Sequence, residues 1–215
     1  MPVSEESKQV VRRVRPENLR RWRIENWLLG GTVLFWSVVQ FLNGTMSSPV
    51  RLAMLSLNLC VGVLIVTRSA ARNRGNWRLI LAALPSVGMG FLSIKLAPQP
   101  TTWPAIAQAT FVVGCVIAIS AFCFLGRSFA VLPSVRSIVA KGPYRWLRHP
   151  AYFGELLLAT ACFLAAPSAV TSVPLVLAVP LTVIRINVEE QLLRTEPDYV
   201  AYSNRTRWRL VPFVW

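Results

Sequence analysis

The residue types that could do chemistry are concentrated in two short stretches of the second half of the chain. The first, Gly142–Gly154, reads Gly-Pro-Tyr-Arg-Trp-Leu-Arg-His-Pro-Ala-Tyr-Phe-Gly and contains His149, the one histidine of the protein. The second begins with Arg185 and ends with Glu189 and Glu190. An imidazole, a guanidinium and carboxylates set among aromatic rings could bind a ligand that carries both a positive and a negative charge.

The spacing within these stretches favours a ligand site over surface anchoring. Arg185 and Glu189 are spaced i, i+4, so on a helix they share a face. Arg185 and Glu155 also lie within apolar runs, where an ionisable group costs about 2.5–3.5 kcal/mol on insertion scales unless it is paired or solvated. The alternative is that Arg145, Arg148 and the aromatic residues only anchor the chain at a membrane interface.

The elements that must position these residues are apolar helices. The chain has 215 residues, of which 54% are hydrophobic and 15% charged, and its mean hydropathy is +0.49. This composition indicates a membrane protein. Six apolar segments are found, at Trp27–Leu42, Val50–Thr67, Trp77–Ala97, Trp103–Leu125, Ala151–Ala166 and Ser168–Ile186.

These segments predict an all-α, polytopic membrane protein with five to six transmembrane helices. A helix needs about 20 residues to cross a bilayer, and the fifth segment is short. Pro167, Pro174 and Pro180 interrupt the pair that it forms with the sixth, so this pair could be a hairpin that does not cross fully. Pro143 and Pro150 predict that Gly142–Gly154 is a shaped loop.

The charge distribution predicts the orientation. The net charge of +14 would suggest nucleic acid as the partner of a soluble protein, but the basic residues flank apolar segments, which favours anionic lipid headgroups instead. With six spans, all loops on one side are basic, and only Arg51 and Lys95 lie on the other. Cytoplasmic loops carry this excess, so both termini are expected in the cytosol.

The chain divides into three predicted regions. Residues 1–23 form a basic cytosolic tail, residues 24–125 the first four transmembrane helices, and residues 126–215 a third region that contains both chemistry-bearing stretches. The four cysteines lie in apolar runs without a Cys-x-x-Cys pair, and with a single histidine they predict no zinc or other metal site. We interpret them as packing residues.

The motifs of the third region resemble those of the isoprenylcysteine carboxyl methyltransferase family. They are Gly142-Pro143-Tyr144-Arg145, Arg148-His149-Pro150-Ala151-Tyr152-Phe153-Gly154, Arg185-x-x-x-Glu189-Glu190, Tyr199-x-x-Tyr202 and Pro212-Phe213. The resemblance covers roughly residues 125–215 and is specific mainly through the combination of the histidine motif with the downstream Arg-x-x-x-Glu-Glu. It implies an integral-membrane enzyme that uses S-adenosyl-L-methionine, with residues 126–215 as its catalytic region and a C-terminal cofactor pocket on the cytosolic side.

Position by position, the resemblance also implies roles for single residues. Arg185 falls where the family contacts the carboxylate of its substrate. The implied cofactor pocket consists of Ile138, Val139, Tyr144, His149, Pro150, Ala151, Tyr152 and Glu189. One departure is Arg136, which stands where many members have a histidine.

The chemistry of the cofactor agrees with these residue types. Glu189 can bind its ammonium, His149 or loop amides its carboxylate, and Tyr144 or Tyr152 its adenine or sulfonium. The expected reaction is methyl transfer to a lipophilic acid, prenylcysteine-like or isoprenoid-like, that enters from the bilayer. Alternatives are an NADPH-dependent lipid reductase, since Phe153-Gly154-Glu155 is similar to a related group of reductases, a phospholipid N-methyltransferase, and a non-catalytic membrane scaffold.

Overall fold

The computed structural model describes residues 16–43, 48–68, 73–74, 77–126, 134–135 and 138–215. Residues 1–15 of the predicted tail and Arg136 lie outside these ranges. The helices and strands, in chain order, are α1 (Pro16–Asn43), α2 (Pro49–Thr67), β1 (Asn73–Arg74), α3 (Trp77–Leu96), α4 (Ala105–Leu125), β2 (Ser134–Val135), α5 (Pro150–Ala165), α6 (Ala169–Leu193) and α7 (Pro197–Arg205).

Each apolar segment becomes a helix, which confirms the predicted all-α class; the strands described are the two-residue pair β1 and β2. Two helices are longer than their apolar segments. α1 already begins at Pro16, so residues 16–23 continue the first helix. α6 continues beyond Ile186 to Leu193, so Arg185, Glu189 and Glu190 all lie on one helix.

Two predictions based on proline were wrong. The loop does not reach Gly154, because α5 begins at Pro150, where proline is favoured in the first turn since its missing N–H needs no partner. Pro174 and Pro180 do not interrupt α6, which runs through both. Proline is tolerated in apolar helices whose freed carbonyls are satisfied by neighbouring groups.

The length and composition of the helices fit a membrane. Among the described residues, α2, α4 and α6 are long and apolar enough to cross a bilayer, whereas the apolar part of α3 from Leu84 to Leu96 and the helix α5 are shorter. Large apolar side chains such as Phe35 and Val176 are exposed on the outer faces of the helices, as expected for side chains in contact with lipid tails. The number of full spans, five or six, stays a prediction.

The central helix pair is α4 and α5, which approach closely through glycine. A Cβ added at Gly154 would lie 2.9 Å from the carbonyl oxygen of Gly114 and from the backbone nitrogen of Ala118. Small residues of this kind let apolar helices pack backbone against backbone in a membrane. The adjoining core contains Phe111, Cys115 and Cys162, so two of the cysteines pack as predicted, and all four are free thiols.

Backbone contacts bring the connecting segments to one end of the helices. β1, between α2 and α3, pairs antiparallel with β2, between α4 and α5. The chain after α7 then returns to the segment before α5, where the Arg148 amide donates to the Trp208 carbonyl and the His149 amide to the Arg209 carbonyl at 2.9 Å each. The predicted functional segments therefore meet at this end.

Candidate active site

The segment that leads into α5 is a tight 3-10 turn, Gly142–Arg145, followed by His149 as the residue that precedes the helix. Gly142 has a φ of 58°, and a Cβ there would lie 2.5 Å from ring carbons of Phe124 on α4. Only glycine meets both conditions without strain. The turn is thereby held against α4, and it places Tyr144 and His149 in buried positions.

Glu190 is the residue that ties this segment to α6. Its carboxylate lies 3.2 Å from Nη1 of Arg148 and 3.3 Å from Nε2 of His149. Arg209 and Arg194 contribute further guanidinium nitrogens at 3.3 Å and 3.5 Å. Because Glu190 is buried and surrounded by cations, its charge is used within the protein. It fixes the orientation of the His149 ring.

Tyr152, in the first turn of α5, connects the other predicted residues. Its hydroxyl donates to Oε2 of Glu189 at 2.5 Å. Its ring stacks on His149, with centroids 5.4 Å apart and planes 8° apart. The guanidinium carbon of Arg185 lies 4.2 Å from the centroid of the same ring. One tyrosine thus contacts three side chains whose roles were predicted separately.

Arg185 lies deeper in the protein than Glu189. Its side chain is 4% exposed, and its Nη1 donates to Oε2 of Glu155 at 3.3 Å and to the Ser86 hydroxyl at 3.4 Å. Glu155 comes from α5 and Ser86 from α3, so three helices converge on this guanidinium. A buried arginine requires such a counter-charge, because an isolated charge is strongly disfavoured away from water.

An aromatic cluster extends the site toward α7. Tyr144, Ala151, Tyr199 and Tyr202 are buried together, and Ile138, Val139 and Tyr152 pack against them. Burial raises the pKa of Tyr202 to about 12, and its hydroxyl donates to the Tyr144 carbonyl at 2.8 Å. Burial likewise raises the pKa values of Tyr144 and Tyr199. These phenols stay neutral at physiological pH, and Tyr202 fixes the turn that carries Tyr144.

The structure brings the predicted site residues together. His149, Tyr152, Arg185 and Glu189 are connected by direct contacts, and Pro150 is buried at the start of α5 between His149 and Ala151. The remaining predicted residues, namely Ile138, Val139, Tyr144 and Ala151, lie in the aromatic cluster that Tyr152 joins. Their roles toward a ligand stay predictions.

Two features of the site were not predicted from the sequence. The role of Glu190 as the ion-pairing residue could not be told from that of Glu189, its neighbour on the chain. Glu155 was noted as a charge in an apolar run, but without a partner. Tyr152 and Glu155 are spaced i, i+3 on α5, which was the available signal that they share a face. Among the described residues, no group of three or more metal-ligating side chains is found.

Residues 103–196 match the model of the phospholipid methyltransferase family. The matched range covers less than half of the chain, and the similarity to that family holds for this part of it. The predicted resemblance to a family of membrane methyltransferases is confirmed by this match. All the candidate residues, from Ile138 to Glu189, lie inside the matched range, which includes α4, α5 and α6.

Further comparisons concern solved structures and curated proteins. One similar solved structure is the eukaryotic intramembrane Ras methyltransferase ICMT (isoprenylcysteine carboxyl methyltransferase), determined without a monobody. The identity is 17%, the TM-score is 0.46, and the match covers 88% of this chain and 75% of that chain. No curated protein matches the chain.

Proposed function

We propose that this protein is a membrane methyltransferase that uses S-adenosyl-L-methionine to methylate the carboxylate of a lipophilic, prenylcysteine-like or isoprenoid-like acid. The observation that carries the proposal is the row Glu189–Tyr152–Arg185. A partly buried carboxylate and a buried guanidinium lie on one face of α6, and the same tyrosine contacts both. Such a row can bind a cationic and an anionic ligand group side by side.

The donor set fits the cofactor. Glu189 would bind its ammonium, because a carboxylate that accepts one hydroxyl hydrogen bond has further acceptor positions. Tyr144, Ile138 and Val139 offer an aromatic and apolar surface for the adenine. When bound, S-adenosyl-L-methionine supplies a methyl group activated by the adjacent sulfonium.

The residues of the chain would act mainly by positioning. Arg185 would orient the acceptor carboxylate, and its planar guanidinium can donate two parallel hydrogen bonds to it. A carboxylate is already ionised at neutral pH, so the site needs no general base, and His149 serves orientation through its contacts with Tyr152 and Glu190. Burial of the Arg185 guanidinium with the acceptor carboxylate would exclude water and strengthen the electrostatic contact between them.

A second acceptor, the amine of a phospholipid, is favoured by a specific observation. Glu155 brings a carboxylate to Arg185, and with Glu189 the site then holds two acidic groups and one guanidinium. A cationic headgroup would suit that balance. The name of the matching family agrees with this candidate as well.

We further propose that the site opens to the cytosol, with both termini on that side and the acceptor entering from the bilayer. The β1–β2 pairing supports this orientation, since it brings two of the arginine-containing links to the same end of the helices. We expect the basic residues at this end of the helices to contact membrane lipids and not nucleic acid.

Calorimetry on the detergent-solubilised protein tests the cofactor. We expect S-adenosylhomocysteine to bind and NADPH not to bind. Binding of NADPH alone would contradict the proposal and support the lipid reductase. Binding of neither compound by a folded preparation would support a non-catalytic scaffold.

A further inference from the structure

The ion pair between Arg185 and Glu155 is asymmetric. The Arg185 side chain is 4% exposed, whereas that of Glu155 is 39% exposed. The guanidinium is therefore fixed in the protein interior, while its carboxylate partner is partly exposed. A change in this pair would occur on the side of Glu155.

Contacts with Tyr152 and Ser86 also hold Arg185, independently of Glu155. The Tyr152 ring lies against the guanidinium at 4.2 Å, and the Ser86 hydroxyl accepts from Nη1 at 3.4 Å. Both partners are neutral, so they position the guanidinium without balancing its charge. Carboxylates must balance it, because an uncompensated charge at this depth is strongly disfavoured. Glu155 does so in direct contact, and Glu189 acts on the guanidinium from the same face of α6.

From this asymmetry we infer that Glu155 is a specificity-determining residue that occupies the acceptor position of Arg185 in the unliganded enzyme. The inference rests on the proposed function. When an acidic acceptor binds, its carboxylate replaces that of Glu155, so one anion is exchanged for another and Arg185 stays balanced. An acceptor without a negative charge cannot make this exchange, and Glu155 stays in place.

The same exchange explains how product would leave. Methyl transfer forms a bond between a carboxylate oxygen and the methyl carbon as the sulfur–methyl bond breaks, and no proton moves. The ester product is neutral and no longer balances Arg185. Glu155 then returns to the guanidinium and displaces the ester, so a single residue selects acids and disfavours retention of their esters.

The test compares an acid and its uncharged isostere on several variants. S-farnesylthioacetic acid and its carboxamide are titrated by calorimetry into detergent-solubilised protein saturated with S-adenosylhomocysteine. Glu155→Gln keeps an oxygen that can accept from Arg185 but removes the competing charge. We expect the ratio of acid affinity to carboxamide affinity to rise about ten-fold in this variant, as expected when one of two competing anions is removed.

Matched controls separate this effect from a structural one. Asp198→Asn removes an exposed acid from α7 and should leave the ratio unchanged. Ser86→Ala removes a neutral contact of Arg185. It should weaken binding of the acid and should not raise the ratio of acid affinity to carboxamide affinity. If Glu155→Gln does not fold, Glu155→Asp retracts the carboxylate by one methylene, and we expect a smaller rise of about three-fold on the same physical grounds.

The outcomes distinguish the two proposals. If wild type binds the acid more tightly than the carboxamide, the acidic acceptor is supported. If the ratio of acid affinity to carboxamide affinity then stays constant or falls in both Glu155 variants, the proposed role of Glu155 is wrong. If wild type binds S-adenosylhomocysteine but does not prefer the acid, the acidic acceptor is wrong and the role of Glu155 with it. Loss of phosphatidylethanolamine methylation in Glu155→Gln would instead identify Glu155 as the contact of an amine.

Discussion

Glu189 and Glu190 are neighbours on α6, and the structure predicts opposite consequences for neutralising each of them. Glu189 is partly buried, and its carboxylate accepts a hydrogen bond from the Tyr152 hydroxyl at 2.5 Å. The amide oxygen of glutamine can still accept this bond. Glu189→Gln should therefore fold as wild type does, and the variant lacks only the negative charge that would bind the cofactor ammonium.

The magnitude follows from that single difference. A hydrogen bond to a charged group contributes about 1.5–3 kcal/mol, which corresponds to roughly 10- to 150-fold in affinity. We expect Glu189→Gln to weaken S-adenosylhomocysteine binding within this range, measured by calorimetry on purified protein. The melting temperature should stay close to that of wild type.

Glu190→Gln is the matched control. It removes a charge that contacts Arg148, His149 and two further arginines in a buried position. Removing one partner of a buried ion pair costs about 3–5 kcal/mol, so this variant should lose thermal stability. If Glu189→Gln binds S-adenosylhomocysteine as tightly as wild type, Glu189 is not the ammonium contact and the proposed arrangement of the cofactor is refuted.

Three further predictions concern the acceptor, the helix packing and the orientation. Arg185→Lys keeps the charge but loses the planar pair of donors. Methyl transfer to an acidic acceptor should therefore fall about ten-fold or more, or about 1.4 kcal/mol of transition-state stabilisation, while the affinity for S-adenosylhomocysteine stays unchanged. Equal turnover in the variant and in wild type would refute the carboxylate contact. Gly154→Val places side-chain atoms where a Cβ alone already meets α4 at 2.9 Å. The fold should lose about 1–3 kcal/mol of stability, so the thermal midpoint should drop by several degrees. An unchanged midpoint would show that α4 and α5 do not pack as described. In a cysteine-free background, Asn204→Cys should be labelled only from the cytosolic side and Thr101→Cys only from outside, and the reverse pattern would overturn the orientation.

The helices could be predicted from hydropathy, because an apolar segment in a bilayer must form its backbone hydrogen bonds within itself. Segments such as Val50–Thr67 had to form their own hydrogen bonds and so became helices, here α2. The shared face of Arg185 and Glu189 followed from the helical period. The loop that was expected up to Gly154 ends at Pro150, because a proline is as compatible with a first helical turn as with a loop.

The contacts between helices could not be predicted, since they depend on how each helix is rotated about its axis. Glu155 and Arg185 are both charges in apolar runs, and only the packing of α5 against α6 shows that they pair. Glu190 looks identical to Glu189 in the sequence. A rotation of 100° per residue is what directs one carboxylate toward Arg148 and His149 and the other toward Tyr152.

Methyl transfer itself tests the central claim most directly. Purified protein in lipid nanodiscs is incubated with methyl-labelled S-adenosyl-L-methionine and either an S-farnesylated cysteine acid or phosphatidylethanolamine. The controls are Arg185→Lys and the exposed-site variant Asp198→Asn. We predict base-labile label in the farnesylated acid, as expected for a methyl ester, with wild-type amounts in Asp198→Asn and about a tenth or less in Arg185→Lys. Base-stable label in phosphatidylethanolamine, or no transfer by protein that binds S-adenosylhomocysteine, would contradict the claim.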